Sequence, residues 1–158
     1  MMRIVVLSDT HGRTSNFERL WRKQQKADLF IHLGDGVAEV ETMCALHRET
    51  AFVTVRGNCD FGSTEPTEKL MELEERRVFF THGHRYGVKG GIGPLLAKGL
   101  DRNADVILFG HTHSSYCQYI DGVYVINPGS LEFPRDGRPS FGVIELASDG
   151  MYAFLRDL

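Results

Sequence analysis

Cysteine is scarce in this chain: three in 158 residues, at positions 44, 59 and 117. The number is odd, the spacing wide, and no C-x-x-C pair occurs. That excludes a disulfide framework and points to a reducing compartment. A basic excess is also missing. The net charge of -3 gives no electrostatic footprint of a nucleic-acid binder. No block of like charges and no basic amphipathic helix suggests a membrane surface. No stretch approaches the roughly 18 apolar residues of a membrane span. The apolar start, Ile4 to Leu7, is shorter than the roughly 7–15-residue core of a signal peptide. The expectation is a cytoplasmic, soluble protein whose residues 1–158 form one domain with a substantial core.

What the chain does have is a series of short apolar runs: RIVVLS, DLFIHL, AFVTV, RVFF and DVILF. Their β-branched and phenylalanine content reads as buried strands. Helical patterns separate the first three. Ser15-Asn16-Phe17-Glu18 has the form of a capping box, and Phe17, Leu20 and Trp21 follow at spacings that face a sheet. Val37 to His47 is a second helical stretch, with Val37, Val40, Met43, Cys44 and Leu46 expected inward. Strand and helix in alternation predict right-handed crossovers and a parallel sheet in the first third. KLMELEERRVFFTH predicts a hairpin turning near Glu75-Arg76. Ile92 to Leu100 predicts a third helix with Pro94 in its first turn. From Ser114 onward the pattern is antiparallel, with turns at Asp121-Gly122 and Ser148-Asp149-Gly150. The whole reads as a mixed α/β chain without linker or repeat.

The chemistry sits where the apolar runs stop. They end in Asp9-Thr10-His11, Gly34-Asp35, Gly57-Asn58-Cys59-Asp60, His82-Gly83-His84 and His111-Thr112-His113. In open α/β sheets ligands bind beyond the carboxyl ends of strands. Residues i and i+2 on extended chain point the same way, so Asp9 with His11, and His111 with His113, can converge. One histidine at a strand end is commonly structural, and Asp or Asn beside Gly commonly forms a turn. Five such ends in succession are five coincidences on that view, whereas one metal site explains them all. Asp9, His11, Asp35, Asn58, His82, His111 and His113 are too many ligands for one tetrahedral ion. They suit two ions bridged by a carboxylate. Imidazole, carboxylate and amide oxygen together favour first-row divalent metals over calcium or a thiolate zinc site.

This ordered set resembles the calcineurin-like metallophosphoesterases, whose dispersed pattern is D-x-H, G-D, G-N-H-[DE], G-H and G-H-x-H. Here it reads DTH at 9–11, GD at 34–35, GNCD at 57–60, HGH at 82–84 and GHTH at 110–113. The length and the NPGS stretch at 127–130 resemble the small phosphodiesterase branch, which shares its fold with a retromer scaffold subunit. The resemblance implies a four-layer α/β/β/α sandwich of two mixed sheets flanked by helices. It assigns Asp9, His11 and His113 to one metal and Asn58, His82 and His111 to the other, with Asp35 bridging. The implied cofactors are two divalent ions (manganese favoured; nickel, iron, cobalt or zinc the alternatives). Two departures stand out. Thr81 precedes His82 where the family has glycine, which changes no ligand. Cys59 stands where many members carry a histidine that assists the leaving group.

The expected activity is hydrolysis of a small phosphoester, a phosphodiester foremost, by a hydroxide held between the ions. Cys59 then serves packing or a substrate-side contact rather than acting as nucleophile or ligand. His84 either substitutes in part for the missing histidine or is structural. Arg13, near a helix start, either contacts a phosphate or is a solvated surface residue. His32 and His47 are expected to be structural or surface residues. KGGIGP at 89–94 lacks the spacing and context of a nucleotide-binding loop. The alternatives are a scaffold protein on the same fold, a phosphomonoesterase, and an amidohydrolase, whose usual barrel needs about 250 residues. Homo-oligomerisation is compatible with the sequence.

Overall fold

The computed structural model describes residues 1–158. Strand β1 (Met2–Leu7) leads through helix α1 (Ser15–Lys23) to β2 (Leu29–His32), and α2 (Val37–Leu46) leads to β3 (Phe52–Thr54). A hairpin of β4 (Glu68–Leu73) and β5 (Arg76–Thr81) follows. A 3-10 turn at His84–Tyr86 and helix α3 (Gly93–Asp101) then precede β6 (Val106–Leu108). The chain closes with β7 (Ser115–Ile120), β8 (Val123–Pro128), β9 (Ser140–Ala147) and β10 (Gly150–Asp157). The first sheet has the order β10-β9-β1-β2-β3 and the second β4-β5-β6-β8-β7. In the first, β1, β2 and β3 pair in parallel, as alternation of strand and helix predicts. Strand β9 returns from the far end of the chain to pair antiparallel with β1. In the second, β5, β6 and β8 are parallel, and β4 and β7 close the edges antiparallel. The sandwich implied by the resemblance is the architecture found.

Strand periodicity builds the four layers. Ile4 and Val6 face the second sheet together with Val78, Phe80, Val106 and Leu108, forming the core between the sheets. Val5 and Leu7 point the other way, against Phe17 and Leu20 of α1 and Val40 and Met43 of α2. Phe79 and Ile107 do the same beneath Leu95 of α3. The central strands are therefore buried on both faces, which is why they read as unbroken apolar runs. No helix is long and apolar enough to cross a membrane.

Three local expectations are corrected. Ser15, the cap residue of the expected capping box, is already the first residue of α1; Thr14 is the N-cap, and no side chain caps the helix. Glu18 turns away to pair with His47 at 2.8 Å and Arg22 at 3.3 Å, so the capping box does not form. In α2, Cys44 and Leu46 are exposed. Glu39 is buried there instead, because its carboxylate accepts a 2.7 Å hydrogen bond from Thr10. The β4–β5 turn falls at Glu74-Glu75, both with positive φ (46° and 62°), the backbone of a tight primed hairpin turn.

Candidate metal centre

The carboxyl ends of β1, β2, β5 and β6, with the loop after β3, meet at one end of the sandwich, on the seam between the sheets. Asp9 follows β1. Its Oδ2 accepts from the Ser8 hydroxyl at 2.6 Å and from the His111 amide at 3.1 Å, so one carboxylate ties the first sheet to the second. Its Oδ1 is fully buried and has no hydrogen-bond partner. It lies 3.2 Å from His113 Nε2 and 3.4 Å from His11 Nε2. Burial pushes the Asp9 pKa up, but His11, His113, His82 and Ser8 outweigh it and hold the carboxyl far below the usual range. The Asp9 carboxylate in turn raises the His11 pKa, against the opposing effect of burial.

A second group forms beside it. His82 Nε2 sits 3.1 Å from His111 Nδ1, 3.1 Å from Asn58 Oδ1 and 3.2 Å from Asp35 Oδ2. Asp35 Oδ2 also lies 3.7 Å from His11 Nε2, between the two groups, while its Oδ1 accepts the Cys59 amide at 2.8 Å. The outer ring nitrogens are tied down. His82 Nδ1–H donates to the Leu33 carbonyl at 2.7 Å and His113 Nδ1–H to that of Phe133 at 2.8 Å. Each bond fixes a tautomer whose free Nε2 points into the centre. Asp9, His11, Asp35, His111 and His113 all have positive φ between 43° and 71°. Such backbone costs about 1–3 kcal/mol per residue and clusters at functional sites.

The structure thus brings all seven predicted side chains together. Asp9, His11 and His113 form one set of mutually close donor atoms and Asp35, His82 and His111 another. The chemistry of the cluster fits cations. Lone pairs of imidazole, amide oxygen and carboxylate face one another at 3.1–3.2 Å, and a buried carboxylate oxygen has no donor. Acceptors packed this way need positive charge between them.

The three substrate-side candidates divide. Cys59 is exposed, yet its sulfur belongs to a third close set with His11 and Asp35. Burial and the Asp35 and Asp60 carboxylates raise its pKa, which suits a thiol rather than a nucleophilic thiolate. His84 packs beside the centre, its ring 5.4 Å from that of His82, with a buried Nδ1 lacking a partner. Arg13 is exposed and lies over the Phe133 ring at 5.0 Å, without a hydrogen bond or ion pair to any of the seven. His32 and His47 are structural. His32 is buried, and His47 stacks on Trp21 at 3.5 Å.

Sequence reasoning missed the groups that hold the centre in place. Asp60 accepts four backbone N–H groups: Asp35 and Gly57 at 2.7 Å, Gly36 at 2.9 Å and Val37 at 3.0 Å. One carboxylate therefore clamps the Asp35 and Asn58 loops and occupies the start of α2. Close approach explains the adjacent glycines. A Cβ on Gly57 would lie 2.2 Å from Asp35 Oδ1, and one on Gly110 2.2 Å from Ser8 Oγ. In the NPGS stretch, Asn127 donates to the Gly110 carbonyl at 3.1 Å and Ser130 to that of Asp9 at 2.9 Å. Beneath Asp9 and His11 runs a buried chain. Gly34 N–H donates to His32 Nδ1 at 3.1 Å, so His32 Nε2–H must donate to Thr10 at 3.0 Å, and Thr10 donates on to Glu39.

Residues 2–149 match the calcineurin-like phosphoesterase superfamily domain. The probable metallophosphoesterase YsnB of Bacillus subtilis is 33% identical over 153 residues, 94% of this chain and 86% of its own. Phosphodiesterase YfcE of Escherichia coli is 31% identical over 170 residues, 92% of this chain and 88% of its own. The solved YfcE structure superimposes with a TM-score of 0.72, at 26% identity over 91% and 88% of the two chains. Vps29 from Chaetomium thermophilum has a TM-score of 0.81 over 100% of this chain and 92% of its own, at 21% identity, a likeness of fold alone. The match runs along nearly the whole chain and is joined by relatives above 30% identity, so this protein belongs to the calcineurin-like phosphoesterase superfamily.

Proposed function

We propose that this chain is a dinuclear metal-dependent phosphodiesterase, acting as a single domain in the cytoplasm on a small phosphodiester. The observation that carries the proposal is the buried, partnerless Asp9 Oδ1 facing His11 and His113, beside the acceptor cluster around His82. Asp9, His11 and His113 would hold one ion, Asn58, His82 and His111 the other, with Asp35 between them. Two such ions supply Lewis acidity toward the phosphoryl oxygens and lower the pKa of water. Manganese is the favoured metal, with nickel, iron, cobalt and zinc compatible with the same donors.

The chain's own contribution is orientation. The Leu33 and Phe133 carbonyls fix two imidazoles, Asp60 fixes the loops bearing Asp35 and Asn58, and Ser8 and the His111 amide fix Asp9. No protein nucleophile is required. With a thiol at 59, assistance to the leaving group is weak, which favours esters of acidic alcohols. The relationship to phosphodiesterase YfcE supports diester over monoester as substrate. A scaffold role on the same fold is the second reading; the likeness to Vps29 is one of fold and does not favour it over the enzyme. The complete set of ligand-type residues favours the enzyme.

The experiment is elemental analysis of protein purified without added metal. Chelation and reconstitution with single ions then follow, with a bis(p-nitrophenyl) phosphate assay. Two metals per chain and restored hydrolysis are expected. A protein that takes up no manganese, nickel or zinc in excess overturns the proposal.

A further inference from the structure

Beside the candidate centre, beyond His11 and Asp35, opens a cavity of about 540 Å³. That is the size of a site for a small organic group. Its charge is one-sided. Glu39, Glu41 and Asp60 line it beside Asp35, whose carboxylate belongs to the metal centre, and no lysine or arginine does. The start of α2 forms one wall, where free backbone amides would ordinarily draw an anion. Here the Gly36 and Val37 amides are already bonded to Asp60, whose carboxylate stands where an anion would dock. Arg13, the residue following Gly12 at the rim, is laid back over Phe133.

The other flank of the centre carries the basic side chains, with Lys89 near His111 and with Arg85 and Arg56 near His84. At the outer rim of the cavity stands Phe61, 90% exposed, an unusual position for a large apolar ring. It follows Asp60, whose four amide contacts hold that turn in place. An exposed aromatic ring beside a carboxylate-lined cavity is a combination suited to recognising an organic cation.

We infer that this cavity seats the second, non-leaving substituent of the ester and selects one bearing an ammonium group over one bearing a further anion. The inference deepens the phosphodiesterase reading and rests on it for the word ester, but the cavity's preference for a cation can be measured without turnover. Glu41, exposed on α2, and Phe61 are the two residues that set the preference; Glu39 and Asp60 contribute charge while bonded to Thr10 and to backbone amides.

The test has two arms on zinc-loaded protein. In the first, ¹⁵N-labelled protein is titrated with choline and with its uncharged isostere 3,3-dimethylbutanol. Choline is expected to shift the amides of Gly36, Phe61 and Gly62 and to bind more tightly than the alcohol. Phe61→Ala and Glu41→Gln should each weaken choline about threefold. Phe61 is exposed, so its removal does not threaten folding. Equal shifts by both compounds, or no shifts at these amides, overturn the inference.

In the second arm, kcat/KM is compared for three p-nitrophenyl diesters whose second alcohol is choline, 3,3-dimethylbutanol or glycolate. The order choline, then dimethylbutanol, then glycolate is expected, with about tenfold between the ends. Equal rates for all three overturn the inference and leave the phosphodiesterase standing. Choline binding without hydrolysis of any diester supports the cavity assignment and overturns the enzyme.

Discussion

Replacing Asp60 by asparagine separates the clamp from the rest of the centre. In the parent, Oδ2 accepts the amides of Asp35 and Gly57, both at 2.7 Å, and Oδ1 those of Gly36 and Val37 at 2.9 and 3.0 Å. An asparagine keeps one accepting oxygen. Its NH₂ group must then face two N–H donors, which lose their partners. Each unsatisfied donor costs about 1–3 kcal/mol, so the variant should lose about 4 kcal/mol. For a chain of this length that is a fall in Tm of about 8–16 °C. Alanine would strip all four amides and cost about twice as much, comparable with the whole stability of a typical domain. The loss should also reach the metal centre, since Asp35 and Asn58 flank the clamped amides. Zinc affinity, measured by calorimetry on the folded asparagine variant, should drop about tenfold or more. An asparagine variant that melts within about 2 °C of the parent and binds zinc equally well would refute the clamp.

Three further outcomes are expected. Burial depresses the His32 pKa to about 4, below its ordinary 6.5, so the folded state resists a proton that the unfolded chain accepts. Stability from this group should be full above pH 6.5 and fall by about 3 kcal/mol as pH drops to 4. Urea unfolding at several pH values shows this, and an unchanged slope in His32→Gln would count against it. Gly110→Ala should be disruptive, because the new Cβ meets Ser8 Oγ at 2.2 Å and Asp9 Oδ2 at 3.0 Å. Metal stoichiometry should fall below that of the parent, and a variant retaining full metal content and parental Tm disproves the crowding. Cys59→His should widen hydrolysis toward esters with poorer leaving groups. Identical relative rates in variant and parent across a leaving-group series argue against that role.

The sequence was most legible where one physical demand fell on neighbouring residues. The apolar runs of β1, β2, β5 and β6 are buried on both faces, and each ends in a side chain of the centre, so strands and site were read together. What escaped were pairings between distant segments. Nothing local in FGVIEL says that β9 lies beside β1, and nothing in VYVIN says that β8 runs parallel to β6. Side chains whose partners come from elsewhere were misread for the same reason. Glu18 looked like half of a capping box until His47 claimed it, and Glu39 had no place in the sequence reading until Thr10 buried it. Asp60 stood only as the last residue of one strand-end motif. Its four amide partners come from two loops more than twenty residues apart, a convergence that spacing alone does not encode.

The seam itself has a mechanical consequence. Asp9 and Asp35 extend from strands of one sheet, and His82, His111 and His113 from the other, with Asp9 gripping the His111 amide and His82 gripping the Leu33 carbonyl across the gap. Neither sheet can slide or peel away without tearing those links. Occupancy of the centre should therefore act as a rivet through the sandwich, making amides on both sides exchange with solvent in a single shared opening rather than layer by layer.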